Sequence, residues 1–193
     1  MNLKLFFGII STIIALVSFF PYLKDILGKK TFPHIYSWLV WSILQSVGAA
    51  AMLRGGASFG ALSLAAGSLF CITIFFLSFK YGTKNITKFD TICLIGAIIT
   101  IIVWLFQRNP LLSIILVTVI DIIAFMPTYR KGFADPGSET ISTYFLSALA
   151  NFFSLLAIAN YSVITTLYLS GLLITNSLLV LILIIRRKII ASA

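Results

Sequence analysis

The chain has 193 residues, of which 60% are apolar and 10% charged, against roughly 25% charged in a soluble domain. This composition excludes both a water-soluble globule and a disordered chain, and indicates a protein whose solvent is mostly lipid. The formal charge of +9 comes from 14 Lys and Arg spread as caps between apolar runs, which excludes a nucleic-acid-binding patch and ties the charge to membrane orientation instead.

A helix needs about 20 apolar residues to cross a bilayer core, so uncharged runs mark the spans. The first is 5–23, a 19-residue run that ends in aromatics and proline; a signal peptide would be shorter and followed by a small-residue cleavage site, so a retained helix is expected. The second run, 31–53, stops at Arg54, and the third, 55–79, stops at the polar stretch "KYGTKNITKFD". The fourth is 91–107. The fifth, 109–129, opens with Pro110, where a helix tolerates proline, and is interrupted by Asp121.

Residues 140–185 then run for 46 positions without a formal charge. At about 1.5 Å per residue this would make roughly 70 Å of helix, over twice the hydrocarbon core, so the run must fold back, with the turn expected at "NYS", 160–162. The expected fold class is an all-α membrane protein of seven helices.

Basic residues indicate the sidedness. Lys24, Lys29, Lys30, Lys80, Lys84, Lys88, Arg130, Lys131, Arg186, Arg187 and Lys188 follow helices one, three, five and seven, while Lys4, Arg54 and Arg108 lie at the opposite ends. The cation-rich side faces the cytoplasm, so the N-terminus is expected outside and the C-terminus inside, in the cell inner (plasma) membrane.

The chain also repeats itself. "SFFPYLKDILGKK" is matched 106 positions later by "AFMPTYRKGFADP", and with Pro21 placed on Pro127 the register continues without a gap: Lys24 meets Arg130, Ser37 meets Thr143, Trp38 meets Tyr144 and Gln45 meets Asn151. The implied units are a first three-helix repeat, 1–81, a linker helix in 82–108 that restores orientation, and a second three-helix repeat, 109–193. Parallel repeats of this kind hold a solute near the bilayer midplane in known transporters.

Counting from helix entrances places Asp121, Asn151, Gln45 and Asn176 about 16, 16, 18 and 21 Å deep, near the middle of a core about 30 Å thick. Asp121 is the sharpest of the four. A carboxylate there costs at least a few kcal/mol if ionised, so it should be protonated, paired or facing a wet cavity, with proton coupling or solute contact set against a structural hydrogen bond. The three amides suit neutral polar groups, the alternative being interhelical bonds worth about 0.6 kcal/mol each. Trp41 and Trp38, one and two turns from Gln45, could stack on a solute or anchor at the interface. Pro21 and Pro127 each remove a helix hydrogen bond and are read as paired hinges. His34 is read as a solvated rim residue, Glu139 as a charge at a helix N-terminus, and Cys71 and Cys93 as buried thiols without a role.

With this three-plus-one-plus-three pattern and with "FPYL" and "MPTY" at matching places, the chain resembles the SWEET and PQ-loop transporter superfamily. It is also similar to small bacterial membrane proteins with "PHIYSWLVW" and "SETISTYFLSALANF". The resemblance implies transport of a small polar solute, sugar-like by preference, and makes Asn176 in "LLITNSLLVL" the counterpart of a pocket asparagine in helix seven. The third-helix counterpart is missing, with only Ser68 or Thr73 on offer.

No cofactor, metal or enzymatic function is expected, since no metal cluster, phosphate loop or nucleophile with a base is visible, and the seventh span, 162–185, has no lysine for a retinal Schiff base. Expected partners are the solute and the lipid bilayer, with no nucleic acid; homo-oligomer formation stays open. The alternative to a carrier is a receptor or assembly protein of the same fold that transports nothing.

Overall fold

A computed structural model describes residues 3–83, 86–107 and 109–191, the side chains at 100, 101, 104 and 107 excepted. Lys84 and Arg108, counted above for orientation, lie outside the described residues. The described chain is helical: α1 Leu3–Leu27, α2 Ile35–Arg54, α3 Leu62–Tyr81, α4 Lys88–Gln107, α5 Pro110–Ala134, α6 Ile141–Ala157 and α7 Val163–Ala191, with short 3₁₀ turns at Ser58–Ala61 and Pro136–Ser138.

Among the described residues, α1, α2, α3 with its 3₁₀ lead-in, α5 and α7 are long and apolar enough to cross a membrane, while α6 has 17 residues. Large apolar side chains cover the outside, among them Leu69, Phe79 and Ile174, each about two-thirds exposed. Patches of this extent are stable only against lipid or another apolar partner. The chain is a membrane-embedded helical protein.

Several ends differ from the uncharged runs. α1, α5 and α7 continue past their first basic residues, to Leu27, Ala134 and Ala191, because Lys and Arg are good helix formers whose heads reach outward from a buried stem. α4 begins at Lys88, inside the stretch expected to be loop, because Thr87 and Asp90 form a reciprocal cap: the Thr87 amide donates to Asp90 Oδ2 (2.7 Å) and the Asp90 amide to Thr87 Oγ1 (3.3 Å). α5 is capped by Asn109, whose side chain accepts from the Leu111 and Leu112 amides, with Pro110 in the first turn. The long uncharged run does fold back where expected. α6 ends at Ala157, and Ser162 and Thr165 cap α7 reciprocally, the Ser162 amide donating to Thr165 Oγ1 at 2.9 Å and the Thr165 amide to Ser162 Oγ at 3.3 Å.

α3 packs against both α1 and α2, and α7 against both α5 and α6; α1 lies along α6 as α2 lies along α5, and α4 rests on α5 and α2. Small residues allow the close approaches. A Cβ on Gly8 would stand 2.7 Å from that of Phe59, and one on Gly60 2.9 Å from Ile158. The buried side chains form two apolar clusters, one around Leu44, Val47, Ile114 and Leu169, the other around Tyr22, Ile74, Leu179 and Leu183.

The basic ends of the helices gather at one end of the molecule. Lys131, after α5, donates to Phe32 O before α2 (3.3 Å), and Arg187 of α7 donates to Glu139 O before α6 (2.7 Å). The Thr83 amide after α3 donates to Pro33 O (3.0 Å). At the other end Lys4 reaches Leu156 O (3.1 Å) and lies over the Tyr161 ring.

Candidate functional site: a polar cavity between six helices

Where the two apolar clusters meet, a cavity of about 70 Å³ opens among α1, α2, α3, α5, α6 and α7. A single water needs about 10–15 Å³ on this measure, so there is space for several waters or a few solute atoms. Gln45, Trp38 and Trp41 reach it from α2, Asp121 from α5, Asn151 from α6 and Asn176 from α7. The residues singled out by depth in the sequence therefore share one wall.

Their polar groups are unevenly served. Asn151 Nδ2 donates to Ser147 O and Asn176 Nδ2 to Leu172 O, each at 2.8 Å and four residues back in its own helix. One donor is spent on holding the rotamer, and each amide retains a second N–H and a carbonyl oxygen to offer. Gln45 Nε2 points to Cys71 Sγ at 3.3 Å, and its Oε1 occupies the place where a Cβ on residue 67 would be, so Gly67 makes room for this amide.

Asp121 is 2% exposed and its Oδ1 has no hydrogen-bond partner among the described residues. Trp41 Nε1 and Thr143 Oγ1, both on the cavity wall, are equally unpartnered, and the Tyr168 hydroxyl faces the Asp121 carboxyl without closing a hydrogen bond of normal geometry. Buried polar groups are nearly always satisfied. Three unserved groups on one cavity wall leave donors and acceptors that water or a solute can satisfy.

Neither tryptophan anchors at an interface. Trp38 and Trp41 are buried, stand perpendicular with centroids 5.1 Å apart, and Trp41 meets Phe125 across the α2–α5 seam at 5.1 Å. Trp38 donates its indole N–H to Tyr22 (3.3 Å), so it offers the cavity only its ring.

Below the cavity, toward the basic end, a hydroxyl network crosses between α1 and α6. Thr140 donates to Asp25 Oδ2 at 2.7 Å and lies 3.1 Å from Thr31 Oγ1. Glu139, expected only to sit at a helix start, is buried, accepts from Tyr144 (2.8 Å) and pairs with Lys131 (3.1 Å). His34 departs from expectation too. It is not solvated but stands with Nε2 3.1 Å from the buried Asp90, joining the start of α2 to the first turn of α4. Proximity across the fold, invisible in a run of residues, accounts for His34, whereas Glu139 meets partners only five and eight residues away, around the turn between α5 and α6.

Pro21 and Pro127 lie inside α1 and α5, which run through them as helix. Pro127 also borders a second, larger cavity of about 330 Å³ at the basic end, with Arg130, Lys131 and Glu139.

Reading the sequence alone missed Thr143, Ser147, Phe19 and Phe125 on the wall and gave Cys71 no place there. A signal existed for two of them: Phe19 and Phe125 stand at the same 106-residue offset as the prolines. Among the described residues no three His, Cys, Asp or Glu side chains come together as a metal site requires. No protein-family model, no curated protein and no solved structure matches the chain.

Proposed function

We propose that this chain is an inner-membrane carrier for a small polar solute, working by alternating access, with α1–α3 and α5–α7 as two like-oriented three-helix bundles joined by α4. The observation that carries the reading is the cavity itself, lined from six helices and holding unpartnered polar atoms of Asp121, Trp41 and Thr143. The matched contacts, α1 along α6 and α2 along α5, support rocking of one bundle against the other, in the manner of SWEET and PQ-loop proteins. The gathered basic ends support a cytoplasmic C-terminus and an outer N-terminus.

In this reading Asn176, Asn151 and Gln45 bind the solute with Trp38 and Trp41, Asp121 couples protons, and Pro21 and Pro127 yield when the basic end opens. The two cysteines supply the test. With Cys93→Ala, Cys71 on the cavity wall becomes the only thiol. In a carrier its labelling by membrane-impermeant reagents switches between the two faces of the membrane as solute is added; labelling confined to one face under all conditions points to a receptor or assembly protein instead. Asp121→Asn should abolish dependence of transport on a pH gradient while leaving exchange. Unchanged gradient dependence removes Asp121 from the coupling.

A further inference from the structure

The carrier reading leaves the class of solute open, and the inference here rests on that reading. The cavity wall contains one formal charge, Asp121, and no lysine, arginine or histidine among its described residues. Glu139, the next carboxylate toward the basic end, already has Lys131 as its partner at 3.1 Å. Asp121 Oδ1 has none. A buried carboxylate is tolerated when a proton or a cation neutralises it, and no described wall residue supplies the cation.

Aromatic rings supply the second half of the argument. Phe19, Trp38, Trp41, Phe125 and Tyr144 reach the wall from four helices. They are not stacked flat on one another where they line it: Trp38 and Trp41 meet at 89°, Trp41 and Phe125 at 45°, Phe19 and Trp38 at 61°. Tilted rings leave π faces free to turn toward the space between them, and such faces attract a cation within about 6 Å of the centroid. Phe125 follows Asp121 by four residues in α5, one helical turn on the same face, so carboxylate and ring act on one occupant.

A neutral polyol would satisfy the amides with its hydroxyls but bring no charge to Asp121. An ammonium group brings the charge, and its alkyl substituents suit the ring faces. We propose that the cavity binds a small organic ammonium cation, with Asp121 as its counter-ion, Trp41 and Phe125 as the aromatic cage, and Gln45 and Asn176 holding a polar tail. A volume of about 70 Å³ confines the cation to a few heavy atoms unless the bundles part.

The test is thermal unfolding of the purified full chain with tetramethylammonium chloride or choline chloride, against sodium chloride at equal ionic strength and against glucose. A ligand that binds the native form raises its apparent stability. The ammonium salts should raise the midpoint saturably above the sodium control. Asp121→Asn, which keeps the side-chain shape, and Trp41→Leu should each weaken apparent affinity at least tenfold, so that the rise needs correspondingly more ammonium while exchange persists at saturating solute. Trp41→Leu also keeps the proposal testable if Asp121→Asn fails to fold.

Stabilisation by glucose with no ammonium effect overturns the inference and leaves a carrier of neutral solutes standing. An ammonium rise undiminished in both variants also overturns it, since the binding then lies elsewhere. If neither ammonium nor glucose shifts the midpoint, the ammonium inference falls, and two-sided labelling of Cys71 separately decides the carrier reading.

Discussion

Thr140→Val offers the most direct test of how the basic end is held shut. Thr140 is the N-cap residue of α6, yet its side chain makes no capping bond; the hydroxyl instead donates to Asp25 Oδ2 at 2.7 Å and lies 3.1 Å from Thr31 Oγ1, both in the first half of the chain. Valine keeps the β-branched shape and removes only these cross-links. A hydrogen bond to a charged group contributes about 1.5–3 kcal/mol and a neutral one about 0.5–1.5 kcal/mol. Asp25 is partly exposed, so the low end applies to it, and the sum is about 2–3 kcal/mol. At a factor of ten per 1.4 kcal/mol, the open population rises about 30- to 140-fold. The assay is the rate at which an impermeant thiol reagent, applied at the basic face, labels Cys71 in a Cys93→Ala background, under conditions where labelling is slow relative to opening. Thr140→Ser, which retains the hydroxyl, should label near the parent rate. A Thr140→Val rate within threefold of the parent in folded protein would refute the latch.

Three further outcomes are expected. Gly48→Ala places a Cβ 2.5 Å from two carbons of the Tyr168 ring, so thermal unfolding should show destabilisation by about 1–3 kcal/mol, the usual range for overpacking. Asn109→Ala removes the acceptor for the Leu111 and Leu112 amides and should cost about 1 kcal/mol, seen as faster hydrogen exchange in the first turn of α5. His34→Ala removes the contact with Asp90, which ties α4 to the start of α2; hydrogen exchange at the start of α4 should accelerate while the middle of α7 is unchanged.

The spans, their approximate ends and the asymmetry of their basic flanks were legible in the sequence, because lipid solvation and charge exclusion act on each residue by itself. The depth of Gln45, Asp121, Asn151 and Asn176 followed from counting along helices of constant rise, and all four line one cavity. The fold-back before α7 followed from length alone.

What the helices touch was not legible. In water a helix marks its buried face by apolar periodicity, but in a membrane the outward face is as apolar as the inward one, so that signal fades. Hence Cys71 could not be assigned to the cavity wall, nor His34 to Asp90, nor Thr140 to Asp25, until their helices were seen side by side. One-dimensional hydropathy and charge determined that this chain enters a bilayer and which segments form its apolar helices. Only tertiary packing decided which polar atoms meet, because pairings over 56 residues, as from His34 to Asp90, or 115, as from Asp25 to Thr140, depend on how whole helices lie against one another.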